Sequence, residues 1–252
     1  MPSDKDNLVV ALYGLTGTGQ WIISGGTGSD ELPKALAMTD DRIYLSYRAK
    51  NTTMTWNGPT GTSIGTNSAS TNKQELRISS FSLTPTHLWT TALLENDDAF
   101  VTGAAGIAAG CNALYITGIT HSPCTFPGVG SISTGTHDFF YLGRINPTNG
   151  QFQWVTTGTT TGATHTIGGT GVTIGKNGAV HVIGNFKDDI TIGNNIQPGS
   201  GKVQPYLATF RSSGLIARSE KLTSSKDSWA SSITSDSQGN LTIGGRYDTD
   251  LT

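Results

Sequence analysis

The chain has 252 residues, of which 13% are charged, and a formal net charge of −2. Its 16 lysines and arginines are scattered, which leaves no electrostatic footprint for nucleic acid or an anionic membrane. No apolar stretch approaches the roughly 20 residues that cross a bilayer, and Met1-Pro2-Ser3-Asp4-Lys5 lacks the basic and apolar regions of a signal peptide.

Read from the N-terminus, a two-strand segment with an aromatic anchor comes first, at Val9–Ile22. A second kind of two-strand segment follows at Leu32–Tyr47. The two kinds then alternate: Leu76–Thr90, Phe100–Ile119, Phe139–Val155, Thr166–Asn185, Tyr206–Ser219 and Trp229–Arg246. Trp21, Trp89 and Trp154 recur at intervals of 68 and 65 residues, and Arg218 stands 64 residues further on. A repeat of about this length signals a solenoid, propeller or array. The 33 glycines, with abundant threonine and serine, favour strands and turns over helices.

Within each unit, a small-residue strand such as Thr166–Ile174 suits the crowding near a central axis. Gly175-Lys176-Asn177-Gly178 reads as a hairpin turn, because Asn-Gly supplies the positive φ that such turns need. The next strand is Ala179–Gly184, followed by a short apolar knot whose copies are Met54-Thr55-Trp56, Cys124-Thr125-Phe126 and Ile190-Thr191-Ile192. A polar loop leads to a third strand and then to the outer strand that carries the tryptophan. That tryptophan reads as a packing wedge between blades. Sixteen strands result, in four groups.

The expected fold is all-β: a β-propeller of four four-stranded blades in one domain, 1–252. Half-blades at 7–23 and 227–252 would share one blade and so remove the open sheet edges. A chain of this length buries a substantial core. Cys111 and Cys124 bracket a strand that holds them beyond the reach of a disulfide, and Cys124 reads as a small buried hydrophobe.

Asp227-Ser-Trp-Ala-Ser-Ser-Ile-Thr-Ser-Asp236-Ser-Gln-Gly239-Asn240-Leu-Thr-Ile-Gly244 resembles the opening half of the SBBP-type β-propeller repeat. Asp138-Phe139-Phe140-Tyr141-Leu142, with its run to Gly150 and Trp154, resembles the closing half. The resemblance implies a propeller scaffold in recognition or surface roles and carries no catalytic motif. The family is usually drawn with seven blades and found in secreted or cell-surface proteins, so four units depart from it.

Motifs with chemical meaning are few. Gly61-Thr62-Ser63-Ile64-Gly65 matches the nucleophile elbow in letters, but that motif needs a strand before it and a helix after it. The glycine pairs Gly17/Gly19 and Gly169/Gly171 complete no dinucleotide fingerprint. His87, His121, His137, His165 and His181 show no ligand spacing. Asn51-Thr52-Thr53 and Asn240-Leu241-Thr242 fit the N-glycosylation pattern.

Asp30, Glu31, Asp97, Asp98 and Asp227 each lie just before an innermost strand. In a closed ring they would line the mouth of the funnel, either capping turns or holding a sugar or a cation. No calcium-loop signature accompanies them, and neither a metal nor a cofactor is expected.

The longer connections are Gly-, Ser-, Thr- and Asn-rich and share one face, where a rigid scaffold usually carries function. The reading is therefore a non-enzymatic recognition or attachment module at a cell, secreted or virion surface, with a glycan or protein ligand on its loop face. Nucleic acid and membrane insertion are excluded as partners. The alternatives are an assembly subunit that forms homo-oligomers, and a glycan hydrolase using Asp30, Asp98 and Asp227.

Overall fold

A computed structural model describes residues 7–27, 29, 31–50, 53–68, 74–95, 103–110, 112–121, 123–135, 138–161 and 168–248. Among these residues the chain is all-β, with 22 strands and a single 3₁₀ turn at Lys176–Gly178. In that turn Asn177 and Gly178 adopt φ of 66° and 74°, the positive values that the Asn-Gly pair predicts.

In chain order the strands are β1 (Leu8–Tyr13), β2 (Gly19–Gly26), β3 (Leu32–Met38), β4 (Arg42–Lys50), β5 (Thr53–Asn57) and β6 (Ser63–Ser68). The second unit holds β7 (Gln74–Ser82), β8 (His87–Glu95), β9 (Gly103–Gly110), β10 (Ala113–His121), β11 (Cys124–Phe126) and β12 (Gly130–Ile132). The third holds β13 (Asp138–Ile145), β14 (Phe152–Thr160), β15 (Gly168–Ile174), β16 (Val180–Phe186), β17 (Ile190–Ile192) and β18 (Asn195–Gln197). The chain continues with β19 (Gln204–Phe210), β20 (Ile216–Lys221), β21 (Ser228–Ser235) and β22 (Leu241–Tyr247).

Two six-stranded sheets form the centre, in the orders β3-β4-β7-β8-β11-β12 and β9-β10-β13-β14-β17-β18. Four-stranded sheets β1-β2-β5-β6 and β15-β16-β19-β20 flank them, and β21-β22 forms a separate pair. The four strands expected per blade are thus extended. The apolar knot and the loop after it form a hairpin, which crosses back to the outer strand of the preceding sheet: β5 on β2, β11 on β8, β17 on β14. Gly61 lies in the β5–β6 turn with φ +78° and is followed by a strand, so the elbow pattern lacks its helix.

The inner strands lie side by side in series, β3 by β9, β9 by β15, and β15 by β21. Glycine makes this spacing feasible. A Cβ on Gly106 would sit 2.8 Å from the Gly171 Cα, closer than side chains tolerate. Apolar clusters fill the spaces between successive sheets. One gathers Leu8, Val10, Ile23 and Trp56 against Leu45 and Phe81; the next sets Leu76, Trp89 and Phe126 against Tyr141 and Phe139, with Cys124 fully buried among them. Cys111 lies outside the described residues.

The blade expected from segments 7–23 and 227–252 is not formed among the described residues. There β1 pairs only with β2, and β22 only with β21. The physical reason lies in how each half is already docked. The β1–β2 half packs on β4 and β7, whereas β21 packs on β15, β16 and β19, with Ala230 and Ile233 against Ile183 and Leu207. The two halves therefore cap opposite ends of an open arc.

Candidate functional site

The expected site was a ring of carboxylates at the funnel mouth. Asp30, Asp97 and Asp98 lie outside the described residues. Glu31 precedes β3 but does not face solvent: it is 1% exposed. Its Oε1 accepts from the Thr27 backbone N–H at 3.2 Å and also from the Thr27 hydroxyl, so the carboxylate fastens the β2–β3 turn from inside. Asp227 precedes β21, at the other end of the series of inner strands. Its Oδ1 accepts from the Val203 N–H at 2.7 Å. Each carboxylate thus bonds backbone amides, an arrangement that fixes loops. The structure does not bring these two together, because β3 and β21 end the series on opposite sides.

Asp227 instead organises a platform that the sequence did not single out. Two connections, 198–203 and 222–227, lie against each other at the loop face. The Ser228 N–H donates to the Val203 carbonyl at 2.9 Å, and the Leu222 N–H to the Pro205 carbonyl at 2.9 Å. The Lys202 ammonium donates to the Ser225 carbonyl at 2.9 Å, and the Gln204 side-chain amide to the Ser224 carbonyl at 2.6 Å. Asp189 adds a bond from the Gly199 N–H at 2.7 Å. With their backbones tied, these loops present Ser200, Lys202, Thr223, Ser225 and Lys226 to solvent. Nothing in single-residue patterns signals the lacing, because it joins segments about 24 residues apart through main-chain groups.

The histidines with described surroundings are structural. His87 Nε2 lies 2.8 Å from the Thr90 hydroxyl, and His181 Nδ1 lies 3.0 Å from the Thr209 hydroxyl. Burial pushes both imidazoles below their ordinary pKa, and the Arg218 charge adds to the effect at His181. His137 and His165 lie outside the described residues. Among the described residues no group of three or more His, Cys, Asp or Glu could hold a metal. Asn240, in one glycosylation pattern, donates its side-chain amide to Asp236 at 2.8 Å and closes the β21–β22 turn. Those turn bonds hold the Asp236 carboxyl below the usual carboxylate range. Asn51 of the other pattern lies outside the described residues. No helix among the described residues is long and apolar enough to cross a membrane.

These features define a class: an all-β protein of repeated antiparallel sheets stacked around a line of inner strands. No family model and no curated protein matches the chain. Among solved structures it is similar to BamB from Moraxella catarrhalis, at 9% identity and a TM-score of 0.31, over 93% of this chain and 90% of that one.

Proposed function

We propose that the chain is a non-enzymatic recognition or attachment module of the β-propeller type, resembling SBBP repeats and displayed at a cell, secreted or virion surface. Its ligand is a glycan or a protein epitope held on the loop face. The observation that carries this reading is the laced pair of loops around Asp227. Loops already tied by main-chain bonds lose little conformational entropy on binding, which is where affinity is most easily lost. Their exposed hydroxyls and two lysines offer hydrogen bonds to a neutral or weakly anionic polar ligand and little apolar area.

A glycan array and a panel of surface proteins test the reading directly. Binding is expected to at least one polar ligand, and it should weaken about tenfold or more in Asp227→Ala, which unties the 198–203 loop. The double variant Ser225→Ala/Lys226→Ala should weaken it without altering the fold. A broad screen with no binding above background would overturn the proposal.

A further inference from the structure

The pair Asn-Gly occurs three times, at Asn57-Gly58, Asn149-Gly150 and Asn177-Gly178. An asparagine in this pair can react with its own main chain, because glycine has no Cβ to hold its nitrogen away from the asparagine side chain. Each pair lies in or beside a turn between two strands, so the sequence ranks them equally. Their surroundings in the fold differ.

Two of the three are held. Asn57 ends β5, where it stands between Ser24 of β2 and Ser63 of β6. The Gly58 N–H donates to the Thr62 carbonyl at 2.8 Å, and a Cβ on Gly58 would lie 2.8 Å from the Ile64 side chain. Asn149 is pinned more heavily. The Gly150 N–H donates to the Asn146 carbonyl at 2.9 Å, and Asn149 Oδ1 accepts from the Gln151 N–H at 3.1 Å. Gly150 itself is buried against the Trp89 indole.

The third is loose. Lys176, Asn177 and Gly178 are exposed, and no atom lies within 4 Å of a Cβ added to Gly178. The Gly178 N–H donates to the Gly175 carbonyl at 3.2 Å, the longest of the three glycine bonds. Asn177 is also the one non-glycine residue with positive φ among the described residues, at 66° with ψ at 17°. An L-residue holds that conformation at some cost, so swinging ψ away from it relieves strain and gives up a single long bond.

We propose that Asn177-Gly178 is a self-modification site of the folded chain. The Gly178 nitrogen gives its proton to solvent and attacks Cγ of Asn177. A new C–N bond closes a five-membered imide. The bond from Cγ to the side-chain nitrogen breaks, and that nitrogen takes a proton from water and leaves as ammonia. Water then adds to either imide carbonyl and opens the ring to aspartate or isoaspartate. Nothing is oxidised or reduced, and water is the sole co-reactant. Either product puts a negative charge in the β15–β16 turn, and isoaspartate also lengthens the main chain there by one carbon. The turn lies at the end of β16 away from the 198–203 loop, since Val180 pairs with Phe210 and Phe186 with Gln204. The inference is therefore independent of any ligand on the loop face.

Peptide mass spectrometry tests it on the unaltered chain, aged folded in mildly alkaline buffer and, in parallel, unfolded in guanidinium chloride. In the folded chain Asn177 should exchange amide for acid at least about tenfold faster than Asn57 or Asn149, because its turn opens more readily. In the unfolded chain the three should exchange at comparable rates. An isoaspartate-specific methyltransferase should label the aged folded chain, and Asn177→Gln, whose longer side chain disfavours the five-membered ring, should remove most of that label. Equal rates at the three sites in the folded chain would overturn the proposal, as would a lead for Asn57 or Asn149. The same lead for Asn177 in the unfolded chain would also overturn it, by taking the selection away from the fold. So would aspartate formed at 177 without isoaspartate, since that is direct hydrolysis of the side chain.

Discussion

The indole N–H of Trp89 donates to the carbonyl of Pro147 at 2.9 Å, across the gap between two sheets. Trp21 makes the same bond to Leu83 at 2.7 Å, and Trp154 to Ser212 at 3.2 Å. Each acceptor lies two residues past the last apolar residue of a third strand, in the turn that precedes the next outer strand. The tryptophan is therefore both a wedge and a latch: its ring fills the gap between sheets and its nitrogen fixes their angle.

The two roles separate by substitution. Trp89→Phe keeps a ring and removes the donor, so it should cost about 1–2 kcal/mol in urea unfolding. Trp89→Ala also empties the gap beside Tyr44 and should cost about 3–5 kcal/mol. Equal losses from both variants would mean that the bond contributes all of the effect and the ring none.

Asn185 acts as a clip for the last pair of strands. Its side-chain amide donates to the Ala230 carbonyl at 3.0 Å and accepts from the Ala230 N–H at 2.8 Å, copying a strand's own pairing. Asn185→Ala should release β21 and β22 with a loss of about 2 kcal/mol. Hydrogen exchange is the measurement: amides at Ile233 and Ile243 should lose protection while those of β10 keep theirs.

Gly106 is set by close approach of backbone to backbone. Gly106→Ala places a methyl 2.8 Å from both the Gly171 Cα and the Val172 nitrogen, neither of which can rotate away. The expected cost is about 1–3 kcal/mol, read as a lower urea midpoint. An unchanged midpoint would show that the inner strands have room to part.

The histidines give stability a pH dependence of definite sign. Burial holds His87 and His181 below their ordinary value of 6.5 in the folded state. The unfolded chain therefore binds protons first as pH falls. Their contribution is fully present above pH 6.5 and is lost progressively as pH drops from there towards the depressed folded values. The urea midpoint should fall between pH 7.5 and 5.5, and His87→Gln/His181→Gln should flatten that fall. An identical fall in the double variant would assign the effect to other groups.

Much of the architecture was legible in the amino-acid sequence. Strand alternation, the Asn177-Gly178 turn and the spacing of Trp21, Trp89 and Trp154 follow from local rules: side chains alternate across a strand, and only certain residues accept positive φ. The burial of Cys124 was legible for the same reason, since its counterparts Met54 and Ile190 are apolar. The tertiary structure decided everything that depends on segments far apart in the chain. Each inner strand carries a bulge, at Lys34, Ala105, Thr170 and Ser231, because the partner strand has one residue fewer there. No composition rule announces such a mismatch. The apolar knots became hairpins on the preceding sheet because that sheet's outer edge was open to pairing. Glu31 faces inward, where the amide and hydroxyl of Thr27 donate to its carboxylate. Asp227 became the centre of the loop platform because folding brought the Val203 N–H within reach, and a main-chain donor has no signature in the sequence.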